Sequence, residues 1–182
     1  LAFPLGPVAA VPLPGNSRAI DIEGTTAYLA QGSAGLALVD LTNPLNPIAV
    51  GQFSLPGDCQ DVAYSSSART AAPIALNQAA EARFLLVDLA DPRQPDLLRN
   101  FPVAAQFVSE AGGVYYVSVN DQVRMYDAKF VREIGWLAAE ARISGVLATE
   151  THIFVTTDSN LSIFQRGLSA PALLGRVAGN SA

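Results

Sequence analysis

The sequence is poor in the residues that build covalent cross-links and metal sites. It holds one cysteine (Cys59), one histidine (His152) and one methionine among 182 residues. One cysteine excludes an internal disulfide, a zinc site built on cysteines and an iron–sulfur cluster, and one histidine excludes a site with several histidine ligands. We therefore predict that the chain holds no metal and no cofactor.

Charge and uninterrupted apolar runs are also scarce. Charged residues make up 15% of the chain and the net charge is -5, whereas a protein that binds nucleic acid needs a basic surface that displaces counterions from phosphates. The most apolar stretch, residues 1–14, carries four prolines, and proline interrupts the helix of about 20 apolar residues that spans a membrane. We predict no nucleic-acid partner and no membrane-spanning segment.

A short apolar motif recurs four times along the chain. Its copies end 48, 39 and 38 residues apart, and they occupy Leu36–Asp40, Phe84–Asp88, Val123–Asp127 and Leu161–Gln165. The first two copies are followed by similar linkers, in which prolines recur at the same offsets (residues 43–47 and 91–95). Further strand-like segments flank the motifs, so that each unit of about 40 residues holds about four short strands, which is typical of a β-propeller blade.

This periodicity predicts an all-β fold, a β-propeller of about four four-stranded blades. We place the blades at residues 19–54, 60–101, 105–137 and 142–178, and we predict that residues 65–72 form a surface loop. Residues 1–9 align with the linker that follows the first motif, so residues 7–14 are predicted to be the outer strand of a preceding blade. The chain is then part of a larger propeller. A closed ring of four blades is the alternative, but it leaves that strand surplus.

The motif resembles the LVIVD repeat, a family of bacterial and archaeal propeller repeats. Leu38-Val39-Asp40 and Leu86-Val87-Asp88 match the end of the family's motif, and the linkers that follow them also fit. The fourth copy departs from it, because Gln165 replaces the aspartate. The resemblance implies an extracytoplasmic protein, which is at the cell surface, secreted or periplasmic, and it brings no catalytic residues.

The aspartates that end the first three motifs are easily mistaken for catalytic carboxylates. Each of them (Asp40, Asp88 and Asp127) stands at a strand end before a turn, where a short carboxylate accepts backbone N–H groups. They also occur once per blade, which spreads them around a ring. We interpret them as structural turn residues.

Other candidates for catalysis or metal binding lack a supporting motif. His152 opens a predicted strand, and Cys59 has two acidic neighbours that oppose thiolate formation. Two groups of oxygen ligands lack the dense spacing of calcium loops: Asp58 with Asp61, and Asp158 with Asn160. We therefore predict no catalytic residue and no metal ligand, and we expect that the chain is not an enzyme.

The loops on one face of the predicted propeller are the candidate binding surface. They join outer to inner strands and second to third strands, and rigid scaffolds commonly carry function on such loops. Their candidate residues are Arg18, Gln31, Asp58, Gln60, Asn77, Gln78, Asn120, Asp121, Arg142, Asp158 and Asn160.

The predicted function is a non-catalytic β-propeller binding or scaffold module for protein–protein interaction. Its partner is another protein, the remaining blades of the same polypeptide, or a second copy of the chain. The alternative is part of a propeller enzyme or of a cofactor-binding protein whose catalytic groups lie outside this segment.

Overall fold

All the regular structure in the described residues is β-sheet. The computed structural model describes residues 6–76, 82–129, 132–167 and 172–178, and within these ranges sixteen strands form four antiparallel sheets of four strands each. No helix occurs in those ranges. The predicted all-β fold with four four-stranded, propeller-like blades is confirmed.

Each sheet pairs four consecutive strands in chain order, and we number the sheets as blades 1 to 4. Blade 1 holds β1 (Ala19–Glu23), β2 (Thr26–Ala30), β3 (Leu36–Asp40) and β4 (Ile48–Phe53). Blade 2 holds β5 (Asp58–Ser65), β6 (Thr70–Leu76), β7 (Ala82–Asp88) and β8 (Asp96–Phe101). Blade 3 holds β9 (Ala105–Ala111), β10 (Val114–Val119), β11 (Gln122–Asp127) and β12 (Glu133–Ala138). Blade 4 holds β13 (Ile143–Ala148), β14 (His152–Thr157), β15 (Asn160–Gln165) and β16 (Ala172–Ala178).

The apolar motifs form the third strands, and in blades 1 and 2 these strands are buried on both faces. Four consecutive residues of β3, Leu36 to Val39, are at most 2% exposed, and Phe84 to Val87 of β7 are fully buried. Successive side chains of a strand point to opposite faces of its sheet. A continuous apolar run is therefore the pattern expected of a strand that is covered on both sides.

Three hydrophobic cores fill the spaces between consecutive blades. Aromatic rings mark the first two: Tyr28 of blade 1 stacks on Tyr64 of blade 2 at 4.0 Å, and Phe84 of blade 2 lies 6.2 Å from Tyr115 of blade 3. The third core, between blades 3 and 4, includes the fully buried Ile153. The first strands of consecutive blades pack against one another, so they are the inner strands of the arrangement.

Polar side chains also join neighbouring inner strands. Asp21 of β1 accepts a hydrogen bond from the Tyr64 amide (2.7 Å), and Asp61 of β5 accepts one from the Val108 amide (2.9 Å). Ser109 of β9 accepts one from the Ala148 amide at 2.9 Å. An inner strand is the edge of its own sheet and has unpaired N–H groups. The side chain of the preceding blade satisfies one such group at each of the three interfaces.

The prediction of a surface loop over residues 65–72 is confirmed only for residues 66–69, which form a mostly exposed turn. Ser65 is the last residue of β5, Thr70 is the first residue of β6, and Thr70 to Ala72 are buried. Strand β6 was not predicted because it contains Pro73. This proline pairs with Val62 of β5, and β6 lies between β5 and β7 in the sheet. Proline cannot donate to a ladder and normally argues against an internal strand.

Residues 6–18 precede β1 without forming a strand within the described chain. An outer strand of a preceding blade over residues 7–14 needs a neighbouring strand to pair with, and none of the described sheets supplies it. That assignment stays a prediction. Residues 1–5, the first part of the segment that aligns with the linker, and residues 179–182 lie outside the described residues.

Candidate functional site

A cavity of about 900 Å³ opens where the inner strands begin. Three arginines from three blades line it: Arg18 just before β1, Arg83 in β7 and Arg142 just before β13. Gln60 of β5 and Gln106 of β9 also line it. The sequence brings these groups together because the described inner strands all start at the same end of the fold.

β-Bulges shape the start of three inner strands at this cavity. The pairing register shifts around Gln60 in β5, around residues 106–107 in β9, and around Ser144 in β13. A bulge leaves one residue unpaired and turns its side chain away from the regular alternation. The bulged residues Gln60, Gln106 and Phe107 line the cavity as a result.

Apolar side chains cover part of the cavity wall. Half-buried Leu76, Val103 and Phe107 line it, together with Pro102 and the buried Ile74. Small-molecule and peptide sites commonly combine an apolar wall with a few convergent polar groups. The cavity has both.

Asp61 is the carboxylate in the described part of the cavity lining. Its two oxygens accept hydrogen bonds from the Val62 and Val108 amides, both at 2.9 Å. Burial raises the pKa of Asp61 above its ordinary value of 3.8, while the two amide bonds act in the opposite direction. Through the bond from the Val108 amide, the Asp61 carboxylate links β5 of blade 2 to β9 of blade 3.

A polar network holds the wall between blades 1 and 2. Arg18 and Asp58 approach to 3.5 Å, and the Gln60 amide donates to Asp58 at 2.8 Å. Gly32, in the turn between β2 and β3, exchanges backbone hydrogen bonds with Cys59 of 3.1 and 2.9 Å. A β-carbon at Gly32 would lie 2.9 Å from Asp58 Oδ1, and the glycine has a φ of +57°. Glycine is therefore needed where this turn docks against β5.

The predicted binding residues fall into several groups. Arg18, Gln60 and Arg142 line the cavity, and Asp58 contacts two of them. The turn residues of blades 3 and 4 do not line it, although most of them are exposed: Asn120, Asp121, Asp158 and the half-buried Asn160. Two predicted residues, Asn77 and Gln78, lie outside the described residues.

Gln31 requires a correction, because it cannot present its side chain to a partner. The residue is 0% exposed, and its amide donates to Ser17 Oγ at 2.6 Å. The backbone turn between β2 and β3 closes on itself, with Gln31 bonded to Gly35 and Ala34. The turn also packs against Gly15, whose β-carbon would meet the Gln31 carbonyl. A polar residue in a predicted loop is here part of the loop's own packing.

Arg83 and Gln106 were missed by the sequence reasoning. Gln106 had a usable signal, because it stands near the start of β9 as Gln60 stands near the start of β5. Aligning the inner strands across blades finds it. Arg83 has no such signal, since it is a regular strand residue whose position at the cavity depends on the packing of blade 2.

The three motif aspartates share one geometry. Oδ1 of each accepts a hydrogen bond from the amide two residues later: Asp40 from Thr42 (2.8 Å), Asp88 from Ala90 (2.8 Å) and Asp127 from Lys129 (2.9 Å). The hydroxyl and amide of Thr42 lower the pKa of Asp40. The aspartates end the third strands of three different blades, away from the cavity lining.

Comparison with known families identifies part of the chain. Residues 14–54 match the family model described as the LVIVD repeat. This segment is an LVIVD repeat. The match confirms the family resemblance suggested by the motif, and the matched LVIVD repeat contains the whole of blade 1 together with Arg18. Its aspartate is Asp40, which ends β3.

Solved structures are similar in backbone but distant in sequence, and no curated protein matches the chain. A chain of hydrazine synthase from Kuenenia stuttgartiensis superposes with a TM-score of 0.70 at 12% identity, over 97% of this chain and 53% of that one. A computationally designed protein superposes with a TM-score of 0.67 at 10% identity, over 88% of this chain and 48% of the designed one. A chain of the mitotic checkpoint complex superposes with a TM-score of 0.65 at 12% identity, over 88% of this chain and 53% of that one. The chain with the LVIVD repeat spans about half the length of these structures, and the likeness supports the fold alone.

The residues considered for catalysis have ordinary structural surroundings. Burial raises the pKa of the Cys59 thiol to about 12, helped by the charges of Asp61 and Asp58. His152 Nδ1 lies 2.8 Å from Thr151 Oγ1 in a half-buried position. In the described ranges, no group of three or more histidine, cysteine or acidic side chains is placed to hold a metal ion. None of the described residues forms a helix of the length and apolarity that crossing a membrane requires.

Proposed function

We propose that this chain is a non-catalytic β-propeller module that binds a partner protein at the cavity where its inner strands begin. The observation that carries the proposal is the convergence of Arg18, Gln60 and Arg142, from three blades, on one cavity. Side chains from separate blades recognise a ligand together only when the scaffold between them is rigid.

The scaffold behind the cavity supplies that rigidity. The cores between consecutive blades fix the blades against each other, and the bonds from Asp21, Asp61 and Ser109 tie the inner strands. Binding then needs little ordering of the wall, which favours affinity because less conformational entropy is lost.

The proposal includes an extracytoplasmic location and the absence of an enzymatic activity. The LVIVD resemblance supports the proposed location. The proposed non-catalytic role is supported by a cavity lined by arginine, glutamine and apolar groups around a carboxylate that is bonded to backbone. Further propeller blades, from the same polypeptide or a second copy, are additional partners for the outer faces of blades 1 and 4.

Site-specific photo-cross-linking in the native host tests this function. A photoreactive p-benzoylphenylalanine replaces Gln106 inside the cavity, and the matched control carries it in place of Arg99, which is exposed on β8. We expect a discrete cross-linked protein from position 106 that disappears when Arg18 and Arg142 are both changed to alanine. Absence of a protein adduct at position 106, or an adduct that is equal in the arginine double variant, contradicts the proposal.

A further inference from the structure

The cavity concentrates positive charge in an acidic protein. The chain has a net charge of -5, and arginine supplies ten of its eleven basic residues. Three of those arginines line this one cavity, against one carboxylate in its described lining. A concave surface with charge of one sign attracts ligands of the opposite sign more strongly than an open surface does.

The guanidinium groups at the two sides of the cavity are available to a ligand. Arg142 is exposed and makes no side-chain hydrogen bond or ion pair with any described residue. Arg18 approaches Asp58 only to 3.5 Å, and 47% of its side chain is exposed. Exposed pairs of this kind contribute little. A carboxylate that enters the cavity can therefore bind either arginine without breaking a strong contact.

The carboxylate of Asp61 does not neutralise these arginines by direct pairing. Its oxygens each accept a backbone amide, from Val62 and from Val108, and no ion pair joins it to an arginine among the described residues. Asp61 therefore leaves the guanidinium groups of Arg18 and Arg142 accessible to a ligand.

The apolar lining and the volume of the cavity indicate which kind of ligand fits it. Leu76, Val103 and Phe107 offer apolar surface beside the guanidiniums. At about 900 Å³ the cavity lies near the upper end of the usual range of roughly 300–1,000 Å³ for ligand pockets. It is far larger than a single inorganic anion requires and is suited to a short extended segment with both acidic and apolar side chains.

We propose that the cavity binds an acidic peptide segment of the partner protein, with its carboxylates on Arg18 and Arg142 and an apolar side chain against Phe107. This inference rests on the proposed function, since it names the chemistry of the partner at the same site. Arginine suits this role because its planar guanidinium binds a carboxylate through two parallel hydrogen bonds.

Fluorescence anisotropy with defined peptides tests the inference. The probe is a fluorescein-labelled hexapeptide of alternating glutamate and leucine, and the control peptides carry glutamine or lysine in place of glutamate. We expect the glutamate peptide alone to bind, with weaker binding as salt rises from about 0.05 M to about 0.5 M. Arg142→Ala and Arg18→Ala each weaken it by ~10-fold or more, because each removes a charge-assisted contact.

Two further variants distinguish loss of a specific contact with the peptide from a general change in charge or folding. Arg142→Lys keeps the charge but loses the bidentate geometry, so its affinity falls between those of the wild-type and Arg142→Ala proteins. Arg99→Ala, an exposed position on β8 outside the cavity, leaves binding unchanged. Thermal unfolding of each variant checks that the fold is retained.

The two proposals fail in different ways. Equal binding of the glutamate and glutamine peptides, or equal losses in Arg142→Ala and Arg99→Ala, overturns the acidic-peptide inference. If position 106 still cross-links a protein in an arginine-dependent manner, the binding function stands and only the peptide chemistry was wrongly assigned. If neither the peptide nor a protein is captured at the cavity, both proposals are overturned.

Discussion

At the scale of single residues, the motif aspartates show how local chemistry repeats with the sequence. Asp40, Asp88 and Asp127 each accept the amide two residues later, and the contact depends only on the chain next to each aspartate. Such a turn can be predicted from sequence because no distant residue takes part in it. Gln31 is the opposite case: it is polar and lies in a loop, yet it is buried by packing against the segment before β1.

The turn geometry gives a prediction about stability. Asp88→Ala removes the acceptor for the Ala90 amide, and we expect it to lower the free energy of unfolding by about 1 kcal/mol. Asp88→Asn keeps a side-chain oxygen at the same place, so its free energy of unfolding is expected to fall much less. Urea unfolding of both variants measures the difference. Equal losses for alanine and asparagine would contradict this account of the turn.

At the scale of strands, the sequence predicts what depends on burial pattern and misses what depends on packing. The continuous apolar runs of β3 and β7 predicted strands, and both are buried on two faces. β6 was missed because Pro73 interrupts the expected pattern, while small residues such as Ala71 and Ala72 let the strand fit between its neighbours. The bulges that aim Gln60 and Gln106 are visible only once the register is known.

The bond from Asp61 to the next blade gives a prediction about pH. Burial raises the pKa of Asp61 in the folded protein above the ordinary 3.8, so the folded state binds this proton more tightly than the unfolded state. Stability from this group is therefore greatest at low pH, falls as pH rises from the ordinary to the raised pKa, and is level above it. Asp61→Asn removes the titrating group. The free energy of unfolding of the variant should therefore rise relative to that of the wild type as pH increases from the ordinary to the raised pKa.

Urea unfolding from about pH 3 to about pH 7 measures this difference. The matched control is Asp96→Asn, which makes the same substitution at an exposed position at the start of β8. A constant offset between the wild type and Asp61→Asn at every pH would show that the carboxyl group titrates alike in the folded and unfolded chains.

At the scale of the whole molecule, the blades at the two ends of the series differ from those between them. Blades 2 and 3 are each covered by a core on both sides, whereas blades 1 and 4 each share one core with a neighbour in the described residues. Apolar side chains remain exposed on both terminal blades, including Ile20, Ile22, Leu174 and Val177 at 53–61% exposure. Exposed blade faces favour association because burying them removes apolar surface from water.

We therefore expect the 182-residue chain alone to associate in solution. Light scattering should give a mass above 19.0 kDa, and Leu174→Lys on β16 should reduce it. Ile134→Lys, which is similarly exposed but lies on β12 of blade 3, should leave the mass unchanged. A monomer of 19.0 kDa with cooperative unfolding contradicts the open arrangement of blades and favours a closed four-bladed ring.

The proposed function places the binding surface at the cavity where the inner strands begin. Hydrogen-exchange mass spectrometry with and without the glutamate–leucine peptide tests it most directly, because it locates binding along the chain. We expect slower exchange at the cavity-lining residues outside the strands that carry an exchangeable amide, namely Arg18, Val103, Ala104 and Arg142, and no change in the turns at 120–121 and 158–160. Protection confined to those distant turns, with none at the cavity, would contradict the claim.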